Sequence, residues 1–167
     1  RVCSMEEEHQ LRENRKEELD IQRLSEADMV LLVTDIADFE GTFSRRLALQ
    51  CGSRLIVVAN KVDLLPSRAR ADVSTWLAKR LDEEHVARIG VAVVSASEGT
   101  GIAALWDMIR REKKSQDDVV AIVGAGQVGK STLLQALSSM GEQRSDSKKR
   151  AARRSGRRKK KAVARHG

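Results

Sequence analysis

The sequence predicts an α/β fold: a parallel sheet of about four strands with helices on both faces. Three observations predict it. Short apolar runs rich in Val and Ile alternate with amphipathic segments along most of the chain. The runs are continuous rather than alternating, which is the pattern of strands buried on both faces. A glycine-rich stretch joins the last run to the last amphipathic segment, in the strand, loop, helix order of a phosphate-binding loop.

In chain order, Met5 to about Ser25 is charged, with a thin apolar stripe of Leu11, Leu19, Ile21 and Leu24 that reads as a surface helix. "ADMVLLVTD" (Ala27 to Asp35) is the first strand and "SRLIVVANK" (Ser53 to Lys61) the second, with "GTFSRRLALQC" as a helix between them. Pro66 is a start signal for an amphipathic helix over Ser67 to His85, whose apolar side is Val73, Trp76, Leu77 and Leu81. A third run "GVAVVSA", a helix "IAALWDMIRREKK", a fourth run "DVVAIVG" and a last helix "STLLQALSSM" complete the alternation. The expected division is a charged helix over 1–24, the α/β domain over 25–141, and a basic, disordered tail over 142–167.

Composition narrows the class. The chain has 167 residues, 41% hydrophobic but only 2% aromatic, so the core must be built of Leu, Val, Ile and Ala. The net charge of +7 is not spread evenly, because Arg144 to Gly167 holds 12 Lys and Arg against the single acid Asp146. The body is mildly acidic. Such a tail can displace counterions from nucleic acid, and with no aromatic interleaved it would bind phosphates without reading bases. RNA or nuclear-import engagement is the functional reading, and a featureless solvated tail is the other. Cys3 and Cys51 show neither zinc spacing nor a disulfide framework and are expected as reduced thiols of an intracellular protein; the compartment, whether cytoplasmic, nuclear, nucleolar or organellar, is open. No apolar run approaches the roughly 20 residues of a membrane span. The first residue is Arg rather than Met and no signal-peptide core follows it, so a fragment or processed chain is expected.

Three loops carry the chemistry. Gly124-Ala-Gly-Gln-Val-Gly-Lys-Ser131 fits GxxxxGK[ST]. Backbone amides from Gly124 through Gln127, Val128 and Gly129 would wrap phosphates at a helix N-terminus. Lys130 would reach the terminal phosphates and is the catalytic candidate; Ser131 would bind Mg²⁺, with Thr132 beside it. A tight glycine turn is the plain alternative. Asn60-Lys-Val-Asp63 directly follows the second strand. Asp63 can accept two hydrogens from the guanine N1 and N2 edge, which adenine lacks, with Asn60 bracing the loop and the Lys61 stem covering a base face. A polar loop is the alternative there. Ser95-Ala-Ser-Glu-Gly-Thr-Gly101 follows the third strand, and the Ala96 amide is a candidate donor to the guanine carbonyl. All three loops leave the carboxyl ends of parallel strands, where ligands bind in open α/β sheets. Asp35 and Asp38 are read as loop hydrogen-bonders at a strand end; Asp35 also imitates the acid of a P-loop ATPase. His9, His85 and His166 are expected at the surface, and Trp76 and Trp106 in the core.

These motifs resemble those of translation-factor-related (TRAFAC-class) GTPases. In most of them the phosphate loop comes first, whereas here it comes last, an order that resembles the circularly permuted GTPases of ribosome assembly. "VTDIADFEGTF" followed by "NKVDLLP" is most similar to the YqeH branch. The resemblance covers Leu24 to Met140, about 70% of the chain. It implies a P-loop fold that binds GTP and GDP with Mg²⁺, hydrolyses GTP slowly, and associates with ribosomal RNA or a ribosomal subunit. A non-catalytic RNA- or ribosome-binding protein with a relic P-loop fold, or a P-loop ATPase, are the alternatives. Three departures accompany it. Nothing after Met140 resembles the family's switch threonine or DxPG segment; Gln127 stands where several members have an Asn associated with potassium; and the zinc module expected upstream in the YqeH branch is absent. Without the strands that switch segment supplies, the outer edge of "VVAIV" is expected to be unpaired unless the chain continues, or the tail or a partner covers it.

Overall fold

The structure is a computed structural model that describes residues 24–144. Residues 1–23 of the N-terminal helix expected over 1–24, residues 145–167 of the disordered tail expected over 142–167, Cys3, His9 and His166 lie outside the described residues; residues 142–144 of that tail are helical instead.

Four strands form one parallel sheet: β1 (Met29–Asp35), β2 (Leu55–Asn60), β3 (Gly90–Val93) and β4 (Val120–Val123). Their spatial order is β3-β2-β1-β4. Four longer helices accompany them: α1 (Arg45–Cys51), α2 (Val73–Glu83), α3 (Ile102–Glu112) and α4, helical over residues 130–144. The sheet is covered on both sides. On one face Val30, Leu32, Leu55, Val57 and Ala59 pack with Leu47, Ala48, Cys51, Val73, Leu77 and Leu81 of α1 and α2. On the other, Leu31, Val33, Ile56 and Val58 meet Ile102, Leu105 and Ile109 of α3 and Leu133 and Leu137 of α4. Successive side chains of a strand point to opposite faces, so the continuous runs "VLLV" and "LIVV" each feed both layers.

Pairing puts the site-bearing ends level. Asp35 of β1 stands in register with Asn60 of β2, and Leu32 of β1 with Val123, the last residue of β4. β4 is an edge strand bonded only to β1 among the described residues. That matches the expected unpaired edge of "VVAIV".

Two helices differ from the sequence reading. The segment 41–51 is not one helix: Phe39–Thr42 makes a single turn, Phe43 is extended, and α1 starts after Ser44, whose hydroxyl accepts from the Leu47 amide at 3.3 Å. A capping serine outcompeted helix continuation. The segment 67–85 is likewise divided into a turn at Ser67–Arg70 and α2 from Val73. Arg70 bends back, its guanidinium donating to the carbonyls of Leu65 and Asp63 at 2.9 and 2.8 Å, so the turn serves the preceding loop. Trp76 is also not core. Val73, Leu77 and Leu81 form the buried stripe at i, i+4 and i+8, while Trp76 sits at its border, 45% exposed, edge-on to Phe39. Trp106 is half-buried against the α3 and α4 layer. His85 is exposed, and Cys51 is a buried free thiol whose pKa burial raises, offset in part by Arg54.

Candidate nucleotide site

The glycine-rich loop between β4 and α4 is shaped by close approach. Gly124 has φ +144, and a Cβ there would lie 2.2 Å from the Val33 carbonyl oxygen. Gly129 has φ +91, and its Cβ would lie 2.5 Å from Asn60 Nδ2. Both positions exclude larger residues on conformation and on space. Gln127 takes a left-handed φ of 60, uncommon for a non-glycine residue. Lys130 curls into the loop, its ammonium donating to the carbonyls of Gly124 at 2.7 Å and Ala125 at 2.5 Å. Ser131 and Thr132 are exposed on the first turn of α4, and Val128 is buried.

Asn60 joins the loops. It is 3% exposed, its Nδ2 donates to the Val128 carbonyl at 2.9 Å, and its Oδ1 accepts from the Ala96 amide at 3.0 Å. One side chain thus ties the loop after β2 to the phosphate loop and to the loop after β3. The Ala96 amide is therefore engaged by Asn60, whereas the sequence reading offered it to a base. Ser95 is fully buried; its amide donates to the Thr100 carbonyl and its hydroxyl accepts from the Glu98 amide at 3.2 Å, closing the 95–101 turn. The Val62 amide donates to the Val94 carbonyl at 3.1 Å, a second tie between the two base-side loops.

Asp63 and Lys61 have different fates. Asp63 Oδ1 is buried with no hydrogen-bond partner among the described residues. A buried acceptor left unpaired is costly, and a ligand that donates to it removes the cost. Lys61, left-handed at φ 66, sends its ammonium to Asp35 Oδ2 at 2.6 Å. Asp35 Oδ1 accepts from the Ala37 amide, and Asp38 Oδ1 from the Gly41 amide, as strand-end hydrogen-bonders do. The Lys61–Asp35 pair and the reach of Asn60 to Val128 were not legible in the sequence, although "VTDIADF" had singled out the first of these stretches.

A cavity of about 380 Å³ opens along the free edge of β4, lined by Val119 to Ile122, Lys130, Ser131, Leu134 and Glu26. It adjoins the phosphate end and not the base side. Among the described residues no cluster of three His, Cys, Asp or Glu could hold a metal. An ion at Ser131 would need phosphate oxygens and water to complete its shell, which is how Mg²⁺ is ordinarily held at nucleotides. The glycine cradle, the exposed Ser131 hydroxyl and the unpartnered Asp63 oxygen fit a nucleotide with such an ion.

No family model matches the chain. It is 33% identical over 111 residues to "Uncharacterized protein YqeH" of Bacillus subtilis, covering 65% of this chain and 30% of that protein. It is 34% identical over 131 residues to "GTPase Der" of Mycobacterium leprae, covering 71% and 26%. It is 38% identical over 82 residues to "Small ribosomal subunit biogenesis GTPase RsgA" of Vibrio cholerae, covering 49% and 19%. The chain thus spans under a third of each relative's length. With the four-stranded parallel sheet and the base-side loops ahead of the phosphate loop, these likenesses identify a circularly permuted fold of the GTPase superfamily, related to YqeH, Der and RsgA at the level of the superfamily rather than of any one branch.

Proposed function

We propose that the chain is a guanine-nucleotide-binding domain of a permuted GTPase that acts in ribosome assembly. The observation that carries this reading is the buried, unpartnered Asp63 Oδ1, held beside loops that Asn60 ties together. A guanine edge would give the Asp63 carboxylate its N1 and N2 hydrogens, one to each oxygen, and so satisfy Oδ1, while adenine would set a lone pair and a C–H against it. Asn60 braces the pocket, and Lys61 covers one face of the base. Ser95 buttresses the turn that carries Ala96. The backbone from Gly124 to Gly129, with Gln127 and Val128, receives the phosphates, and Ser131, followed by Thr132, holds Mg²⁺. When bound, that ion neutralises phosphate charge. Lys130, now on the Gly124 and Ala125 carbonyls, would exchange them for phosphate oxygens and stabilise charge at the transferring group. Potassium remains a secondary ligand to test, because Gln127 replaces the Asn of the resemblance.

The relatives named GTPase Der and RsgA support GTP as the nucleotide, and RsgA's name supports ribosome biogenesis as the setting. The basic residues from Ser145 to Gly167 supply the surface for ribosomal RNA or a subunit. Among the described residues no helix is long and apolar enough to cross a membrane.

Titration calorimetry with GDP, GTP and ATP in Mg²⁺ tests the reading: guanine nucleotides bind, ATP binds at least tenfold more weakly, and turnover is slow. Asp63→Asn is expected to erase that preference. No binding of any nucleotide at millimolar concentration removes the proposal. For the tail, deletion of Ser145 to Gly167 is expected to abolish a strongly salt-dependent RNA affinity; RNA binding that persists unchanged after deletion assigns it elsewhere.

A further inference from the structure

We propose that Asp35 is a positioning residue for nucleotide affinity, acting through Lys61 to fix one wall of the nucleotide slot. The inference rests on the nucleotide-binding reading above and adds a residue that lies outside all three loop motifs. Asp35 ends β1 in register with Asn60, and β1 stands between the phosphate-loop strand β4 and the base-loop strand β2. It therefore occupies the middle of the site.

The turn that follows is folded around its carboxylate. Oδ1 accepts from the Ala37 amide at 3.0 Å, which leaves Oδ2 for the Lys61 ammonium at 2.6 Å. The Asp35 amide donates to Thr42 Oγ1 at 3.0 Å, and the Thr42 hydroxyl donates to the Asp38 carbonyl at 2.6 Å. The Ala37 bond orients the carboxylate, and the Thr42 bonds pin the backbone that carries it. At the other end, Lys61 is left-handed, a strained state for a lysine, and the next amide is bonded to Val94. With its backbone at the end of β2 and its ammonium at the end of β1, its methylene stem must span the carboxyl edge of the sheet toward the phosphate loop.

A free lysine stem samples many rotamers, and a ligand that required one of them would bear the ordering cost on binding. The Asp35 carboxylate orders the stem beforehand. The pair is partly shielded, with side-chain exposures of 14% for Asp35 and 33% for Lys61, so solvent screens it less than an open surface pair. Asp35 makes no contact with the base edge in this scheme. It sets affinity, while Asp63 sets the choice of base.

The test is a double-mutant cycle read by GDP and inosine diphosphate titration in Mg²⁺ on the full chain, with folding checked by circular dichroism. Asp35→Asn and Lys61→Met are each expected to weaken GDP about tenfold, the worth of one charge-assisted bond. The double variant is expected to be no worse than Lys61→Met alone. The ratio of GDP to inosine diphosphate affinity, which reports the 2-amino contact, is expected to stay at the wild-type value in Asp35→Asn and to collapse in Asp63→Asn. Wild-type GDP affinity in Asp35→Asn, losses that multiply in the double variant, or a changed base ratio in Asp35→Asn would each overturn the inference. Should Asp35→Asn not fold, unchanged GDP affinity in Lys61→Met overturns it alone. A wild-type chain that binds no GDP removes the nucleotide reading itself, a separate result.

Discussion

Gly129 shows how one missing side chain holds a site open. Its Cβ would collide with Asn60 Nδ2, and Asn60 cannot retreat because both ends of its amide are bonded and the residue is buried. Gly129→Ala is therefore expected to cost about 1–3 kcal/mol in urea denaturation and to abolish nucleotide binding. Gly52 is the contrast, since it also has a positive φ but nothing within 4 Å of its Cβ. Its φ of 57 and ψ of −141 lie outside the left-handed helical region that Asn tolerates, in backbone space open almost only to glycine, so Gly52→Asn is expected to cost about 1–3 kcal/mol from conformation alone, with no loss of nucleotide binding. At this scale the sequence was legible where the backbone demands a residue type: Gly124 and Gly129 stand where a Cβ would collide with Val33 or Asn60. It was illegible where a side chain acts on a distant partner. That Asn60 would bond Val128, 68 residues on, and that Lys61 would bond Asp35, 26 residues back, depends on strand register.

The helices α1 and α2 are joined by charge as well as by packing. Glu84, the residue that caps α2, accepts from Arg80 at 2.5 Å and meets Arg45 of α1 at 2.8 Å, while Arg80 also reaches Glu40. Arg80 first, then Arg45, holds the Glu84 carboxyl below the usual glutamate range. A depressed folded pKa stabilises the fold above the unfolded value, and that contribution is lost as pH falls through the folded value. Glu84→Gln is accordingly expected to lower stability at neutral pH slightly and to leave the variant and the wild type equal in strong acid, as read from denaturation midpoints across the acid range. The strands were readable from their apolar runs and the helix boundaries were not. Ser44 and Arg70 each intervened with a bond to backbone that hydrophobic spacing does not encode.

For the whole molecule, the sheet order leaves β4 at an edge among the described residues, while the two central strands are buried except at Asp35. Val119 and Leu134, both more than half exposed, flank the cavity beside that edge. An apolar edge left unpaired among the described residues invites pairing, even with Glu26 and Lys130 beside it. The chain is expected to self-associate with rising concentration, and Val119→Lys with Leu134→Lys to reduce this, as measured by sedimentation velocity. Equal association in both proteins would show that the edge is not responsible. The same topology orders events in time. β1 is made before the three strands that join it and is central, yet one of its two neighbours is β4, and the contact of Asp28 with Val119 closes 91 residues of chain. Chains fold from the N-terminus during synthesis, and distant pairings are slow to form. β1, β2 and β3 can assemble the base-side wall while the glycine-rich loop is still unmade. Docking β4 follows, and until it occurs one flank of β1, with Val30, Leu31 and Leu32, stands bare for a chaperone or a neighbouring chain to find.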